Sequence, residues 1–249
     1  METSHDRPAP RRIAMWSGPR NISTALMRSW DSRGDTYVTD EPLYAHYLAH
    51  TGADHPARDA ILEAQSPDWR EVVAWLTGPV PNGRPIWYQK HMGHHLTDEV
   101  EHDWILGLTN CFLIREPREM ITSYIKIVPE PTPHDLALPQ QVALFERIER
   151  ESGSTPPVID SRDVLEDPER VLTLLCEAIG VAFEPAMLSW RAGLRETDGV
   201  WAPHWYDSVA RTTTFGPYRP KEEEPPPELD AVRRECDEYY ELLHSRRLH

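Results

Sequence analysis

The stretch Ile13–Trp30, IAMWSGPRNISTALMRSW, reads as a buried strand that passes through a Gly-Pro turn directly into a helix. Such a join gathers unpaired backbone N–H groups and the positive end of the helix dipole at one point, so the ligand it predicts is an anion. The turn is not a Walker A loop: Gly18 is followed by PRNISTA, with no second glycine and no Lys-Ser/Thr pair. It nevertheless keeps the parts of a phosphate cradle. Arg20 supplies a fixed cation, and Asn21, Ser23 and Thr24 supply donors on the first helical turn.

Outward from this stretch, short apolar runs recur with helical stretches between them, the pattern of βα units around a parallel sheet. Strands are predicted at 12–17, 36–39, 86–90, 111–115 and 157–160, and helices at 22–33, 68–76, 118–127, 140–151, 168–179 and 229–248. In DPERVLTLLCEAIG an acidic N-cap, a first-turn proline and a terminal glycine bracket an amphipathic run. Residues 51–67 read as an irregular insertion, and RPKEEEPPPELD as a solvated linker. The expected organisation is a flexible tail at 1–11, one α/β domain at 12–218, and a Pro/Glu-rich linker with a C-terminal helix at 219–249. Its core is a mostly parallel central sheet flanked by helices.

Aspartate and glutamate number 41 against 26 lysines and arginines, a formal net charge of −15, which argues against a general affinity for nucleic acid or an anionic membrane surface. An anionic ligand must then be met by a local cluster of cations. The three cysteines, Cys111, Cys176 and Cys236, are far apart and odd in number, so neither a disulfide framework nor a cysteine zinc site is readable. With no signal-peptide core and no apolar run of membrane-spanning length, the expected setting is the cytoplasm.

A second segment, CFLIREPREMITSYIK, ends a strand in Arg115 and places Ser123 eight residues on, along the next helix. An arginine at the carboxyl end of a strand and a serine on the following helix can converge on a further anion near the first loop. The plain alternative is an ion pair of Arg115 with Glu116 or Glu119.

With both segments in hand the chain resembles the sulfotransferases that use 3′-phosphoadenosine 5′-phosphosulfate. PRNIST looks like their phosphosulfate-gripping motif, Arg115 with Ser123 like their 3′-phosphate motif, and VIDSRDVLEDPERVLTLLCEAIGV like a third, strand-turn-helix segment beside the nucleotide. The resemblance covers residues 12 to about 190, in the family's order. It implies a P-loop-NTPase-like sulfotransferase fold, 3′-phosphoadenosine 5′-phosphosulfate as donor, no metal, and a small-molecule acceptor bearing a hydroxyl or amine, with bacterial secondary metabolism as the expected setting. A homodimer or a pathway partner protein is a base-rate expectation. The chain departs from the family at Ile22, where glycine is usual, at Ile159–Ser161, where an adenine-neighbouring tyrosine is absent, and in lacking the late KG loop.

Sulfuryl transfer should resemble phosphoryl transfer, with the protein positioning reactants and stabilising charge. Arg20 is the candidate for the bridging oxygen, helped by Ser23 and Thr24. The acceptor proton needs a base. The resemblance favours Glu41, beside Asp40 after the second strand, with His91 next, after Lys90 at the end of the third and near His94 and His95. In the aromatic segment Gly199–Tyr218, Trp201, His204 and Trp205 are candidates for bordering the acceptor, against a plain role as a cover over the sheet. Two other readings stay open: a P-loop-type small-molecule kinase, and a catalytically silent sulfotransferase-fold partner protein.

Overall fold

The computed structural model describes residues 9–249, so residues 1–8 of the expected tail lie outside the described residues; Arg11 already opens the first strand. Five parallel strands, β1 (Arg11–Ser17), β2 (Thr36–Asp40), β3 (Ile86–Met92), β4 (Thr109–Ile114) and β5 (Val158–Asp160), form one sheet in the order β2-β3-β1-β4-β5. β1 lies at the centre, and Ile13, Ala14, Met15 and Trp16 are fully buried there. A strand covered on both faces needs no polar alternation, which is why this run is continuously apolar.

The side chains of β1 still divide by face. Ile13 and Met15 join Tyr88, Cys111 and Leu113 in one core cluster, whereas Ala14 and Trp16 join Trp87, Phe112 and Ile114 in another. The flanking helices are α1 (Ser23–Asp31), α2 (Tyr44–Thr51), α3 (Arg58–Ala64), α4 (Trp69–Thr77), α5 (Pro117–Tyr124), α6 (Leu138–Ser152), α7 (Ser161–Glu166), α8 (Pro168–Ala178), α9 (Ala202–Trp205), α10 (Asp207–Ala210) and α11 (Asp230–His244). Residues from α1 and α8 complete the first cluster, and residues from α4, α6 and α11 the second.

Three readings need correction. The insertion at 51–67 is not irregular throughout: Ile61 of α3 is fully buried against Ala45, Leu48 and Trp201, which gives the short helix an anchor. β3 continues to Met92, because His91 and Met92 keep pairing with Trp16 and Ser17 of β1. His91 is therefore inside a strand and not at its end. The C-terminal helix is also shorter than expected, and it closes the sheet's far edge: the Tyr240 hydroxyl donates to Asp160 Oδ2 at 2.9 Å and the Leu248 N–H to the Val158 carbonyl at 2.8 Å.

The strand order reverses about β1, so the carboxyl ends of β1, β3 and β4 open a crevice, the place where parallel α/β sheets take ligands. Gly18 follows β1 directly, where a Cβ would collide with the Leu136 carbonyl oxygen and the Met120 side chain. Only glycine lets the chain pass there.

Candidate active site

One cavity of about 840 Å³ occupies this crevice. Its lining takes Arg20, Asn21, Ser23 and Thr24 from the first loop, Arg115 and Ser123 from β4–α5, Glu41 from the end of β2, and Lys90, Met92, His94 and His95 from the end of β3. Trp201, Trp205 and Tyr206 of the late aromatic segment line it as well. Asp40, His91 and His204 do not.

At one end the groups are cationic. Arg20 adopts φ 57°, left-handed backbone that a residue other than glycine rarely takes, and its Nε donates to Ser123 Oγ at 2.9 Å. Arg115 donates to the Arg20 carbonyl at 2.7 Å and to Glu119 Oε2 at 2.8 and 3.0 Å, so the Glu119 alternative of the sequence reading is present within the site. Arg20 has no carboxylate partner among the described residues; burial and then the nearby Arg115 guanidinium lower its pKa. Burial, then Arg115, likewise brings Lys221 down to about 8.

Ile22 answers the missing glycine of the first loop. It takes φ −87°, open to any residue, and caps α1 without a side-chain bond, while the left-handed turn falls on Arg20 instead. No acidic residue stands in the first turn of α1. Asn21 staples the loop: its Nδ2 donates to the Leu113 carbonyl at 3.0 Å and its Oδ1 accepts from the Ile22 N–H at 3.1 Å and from the Ser161 hydroxyl. Its side chain is thereby engaged by protein on both sides. The hydroxyls of Ser23 and Thr24 make no hydrogen bond to other described residues, and they face the cavity with the unpaired first-turn N–H groups.

At the other end carboxylates gather around a single buried amine. Lys90 Nζ donates to Asp40 Oδ1 at 2.8 Å, Glu41 Oε1 at 2.6 Å and the Tyr206 hydroxyl at 2.7 Å. Burial opposes the charge of Lys90, but Asp40 and Glu41 outweigh it and hold its pKa well above the ordinary value. The Glu41 pKa is raised, by burial first and by Asp40, with Lys90 opposing. Glu41 takes φ 40°, a second left-handed residue at the end of a strand. Tyr206 donates on to Asp40 Oδ2 at 2.7 Å, which also accepts from the Gly199 N–H at 3.1 Å. A Cβ at Gly199 would run into the Trp201 ring.

His91 is turned to the opposite face of β3, stacked on Trp16 at 4.4 Å between ring centroids and 3.2 Å from Gln89 Oε1. Burial takes its pKa down to about 3; packed on Trp16, it does not line the cavity and is not placed to act as base there. His204 lies on α9 outside the lining. His95, named in the sequence only as a neighbour of His91, does reach the cavity: its Nε2 is 3.9 Å from Glu41 Oε2 and its ring stacks on Tyr44 at 4.5 Å. For His91, period-2 counting along β3 carried the signal, since Lys90 and Met92 share a face and His91 takes the other; His95 lies beyond the strand, in the turn Gly93–His95.

Among the described residues no group of three or more His, Cys, Asp or Glu side chains is placed to hold a metal ion, and no helix is long and apolar enough to cross a membrane.

The sulfotransferase domain family matches residues 11–247. Two proteins of Arabidopsis thaliana, described as branched-chain-amino-acid aminotransferase-like proteins 1 and 2, are 36% identical over 206 residues and 34% identical over 203. The aligned parts cover 83% and 82% of this chain but 37% and 36% of theirs, so the chain spans little more than a third of the length of these relatives. Three solved structures share the fold. The sulfotransferase domain of the curacin biosynthetic pathway aligns with 96% of this chain and 99% of its own at TM-score 0.55 and 17% identity. That of the Synechococcus PCC 7002 olefin synthase aligns with 100% and 99% at TM-score 0.56 and 17% identity. A sulfotransferase from Alicyclobacillus acidocaldarius aligns with 97% and 98% at TM-score 0.56 and 13% identity. With its parallel sheet, its strand-end cavity and a family match over nearly its whole length, the chain belongs to the sulfotransferase family of α/β enzymes.

Proposed function

We propose that this sulfotransferase moves a sulfuryl group from 3′-phosphoadenosine 5′-phosphosulfate to the hydroxyl of a small-molecule acceptor, with Glu41 taking the acceptor proton. The observation that carries the reading is one cavity with two unlike ends: Arg20, Ser23, Thr24, Arg115 and Ser123 at one, Glu41 with Lys90 at the other.

The residues of the first end fit an anionic donor. Arg20 and Arg115 repel one another without a ligand, and the open hydroxyls and first-turn N–H groups beside them favour negative charge. When bound, that donor supplies a sulfur whose bond to the acceptor oxygen forms as its bond to the 5′-phosphate oxygen breaks, the electron pair leaving with the phosphate. Arg20 is placed to stabilise charge on that oxygen.

Glu41 is a base held in readiness. Burial and Asp40 raise its proton affinity, Lys90 opposes them, and Lys90 is itself fixed by Asp40 and Tyr206. Tyr206 and Asp40 position Lys90, and Lys90 positions Glu41. The three cysteines are buried free thiols, in keeping with a reducing, cytoplasmic setting.

Calorimetric titration with 3′-phosphoadenosine 5′-phosphate, without metal and with ATP as competitor, tests the donor half. Tight binding that collapses in Arg20→Ala and Arg115→Ala, with ATP ignored, is the expected result. Binding of ATP with Mg²⁺ in preference, or no binding of the bisphosphate, overturns it.

A further inference from the structure

The acceptor end of the cavity carries a charge pattern that narrows what it takes. Among the residues lining the cavity the permanent cations are Arg20, Arg115 and Lys90, and Lys90 is locked between Asp40 and Glu41. The imidazoles there add no charge: burial takes His94 down to about 4 and His95 well below its ordinary value, and it also lowers His55. Against these stand two further lining carboxylates, Asp54 and Asp135, with no cationic partner among the described residues. Thr132 engages Asp135 Oδ2 through its N–H at 2.8 Å and its hydroxyl at 2.7 Å, which leaves Oδ1 unengaged.

Around those carboxylates stand rings. Tyr44 and Tyr47 stack on His95 at 4.5 and 4.9 Å, and Trp201 meets Tyr44 edge-on at 5.1 Å. Tyr124 completes the group, and Asp135 is near enough to Tyr47 and Tyr124 to add to the burial that raises both phenol pKa values. All are therefore neutral rings near pH 7, presenting π faces and dipoles.

An anionic acceptor would meet three carboxylates here, and the unpaired cation near Tyr124, Arg20, is the one assigned to the donor. A cation gains from the carboxylates and from the aromatic faces together. We propose, on the reading that this cavity is the sulfuryl-transfer site, that the acceptor is a hydroxy compound bearing an ammonium group, protonated or quaternary, which lies against Tyr47, Tyr124 and Asp135 while its hydroxyl faces Glu41. Charge then divides the cavity by function: the cationic end holds the anionic donor, and the anionic end holds the cationic acceptor.

The test uses three aromatic probes of different charge, benzyltrimethylammonium, benzyl alcohol and benzoate, titrated calorimetrically into the full chain with 3′-phosphoadenosine 5′-phosphate in excess, so that the cationic end is closed to the anionic probe. The expected result is binding of the cation roughly tenfold or more tighter than of the alcohol, with benzoate excluded. Asp135→Asn should weaken the cation alone by about tenfold. Tyr47→Phe, which keeps the ring, should preserve cation binding, and Tyr47→Leu should lose it. Equal or tighter binding of benzoate, indifference of the cation to both Asp135→Asn and Tyr47→Leu, or no cation binding at millimolar concentration overturns the proposal. A parallel titration with 3′-phosphoadenosine 5′-phosphate separates the two readings. Bisphosphate binding without cation preference sinks the acceptor class alone, whereas cation preference without bisphosphate binding sinks the donor reading and leaves the cationic pocket standing.

Discussion

The two ends of the cavity are built in opposite ways. The cationic end joins two motifs that are each local, Pro19 to Thr24 in one turn and helix start and Arg115 with Ser123 in one strand-helix unit, by hydrogen bonds across 103 and 95 residues. The carboxylate end is assembled from afar, since Lys90 Nζ meets groups 50 residues away on one side and 116 on the other. A motif carried by chain neighbours tolerates change elsewhere, because its geometry follows from one turn. A distributed site depends on every element that brings a group to it, so the two ends should fail differently when broken.

The largest effect should come from Glu41→Gln, expected to lower kcat by roughly 10²–10⁴-fold while leaving bisphosphate affinity unchanged. Because burial raises the Glu41 pKa from 4.5, the acidic limb of the wild-type kcat/KM profile should lie above that value. Equal loss of bisphosphate binding in this variant would show that the two ends are not separable. Lys90→Met comes next. It leaves Asp40 and Glu41 buried without their cation, and chemical denaturation should report a loss of about 3–5 kcal/mol. If Lys90→Met melts like the wild type, the distributed cluster does not hold the late aromatic segment to the sheet.

A third, smaller effect is a pH dependence of stability. His91 and His94 have pKa values of about 3 and about 4 in the fold against 6.5 in the unfolded chain, so below pH 6.5 the unfolded state binds more protons. Their contribution is complete above pH 6.5 and is lost as pH falls from there toward 4, by up to about 1.4 kcal/mol per pH unit for each histidine. Replacing His91 by Gln should flatten that slope and leave bisphosphate binding intact. An unchanged slope would mean that His91 is already protonated in the folded protein.

This contrast also explains what could be read in the residues. The βα pattern, the anion-binding turn and the Arg115–Ser123 pair are legible because each is carried by neighbours in the chain: an apolar run, a Gly-Pro turn, a spacing of eight. The sheet and α1, α4, α6, α8 and α11 fall where periodicity and caps place them, to within a few residues. Nothing local announces that Tyr206 bridges Lys90 and Asp40, or that Arg28 is buried in an ion pair with Asp198, which ties the late segment to α1. Those contacts exist only once the topology is closed. His91 is the instructive case between the two. Its residue type pointed to a base, but strand alternation turns it toward Trp16 and leaves the cavity to Lys90 and Met92. α3 escaped because its one deeply buried residue, Ile61, packs on Trp201 and its neighbours, far along the chain.

Both ends nevertheless share one device, a left-handed residue shortly after a strand: Arg20, three residues beyond β1, and Glu41, directly beyond β2. Strained non-glycine backbone persists where the surroundings impose it, and it clusters at functional sites. Comparing Arg20→Ala with Arg20→Gly isolates the strain, because both lose the guanidinium and only glycine relieves the backbone. A left-handed conformation costs a non-glycine residue about 1–2 kcal/mol, and glycine's greater freedom in the unfolded chain returns about 0.5–1 kcal/mol. Arg20→Gly should therefore be more stable than Arg20→Ala by up to about 1 kcal/mol, or ~2–4 °C in Tm, with both variants equally poor in bisphosphate binding. Equal melting would mean that the turn does not impose its conformation, and the cationic end would then owe its geometry to the ligand it receives.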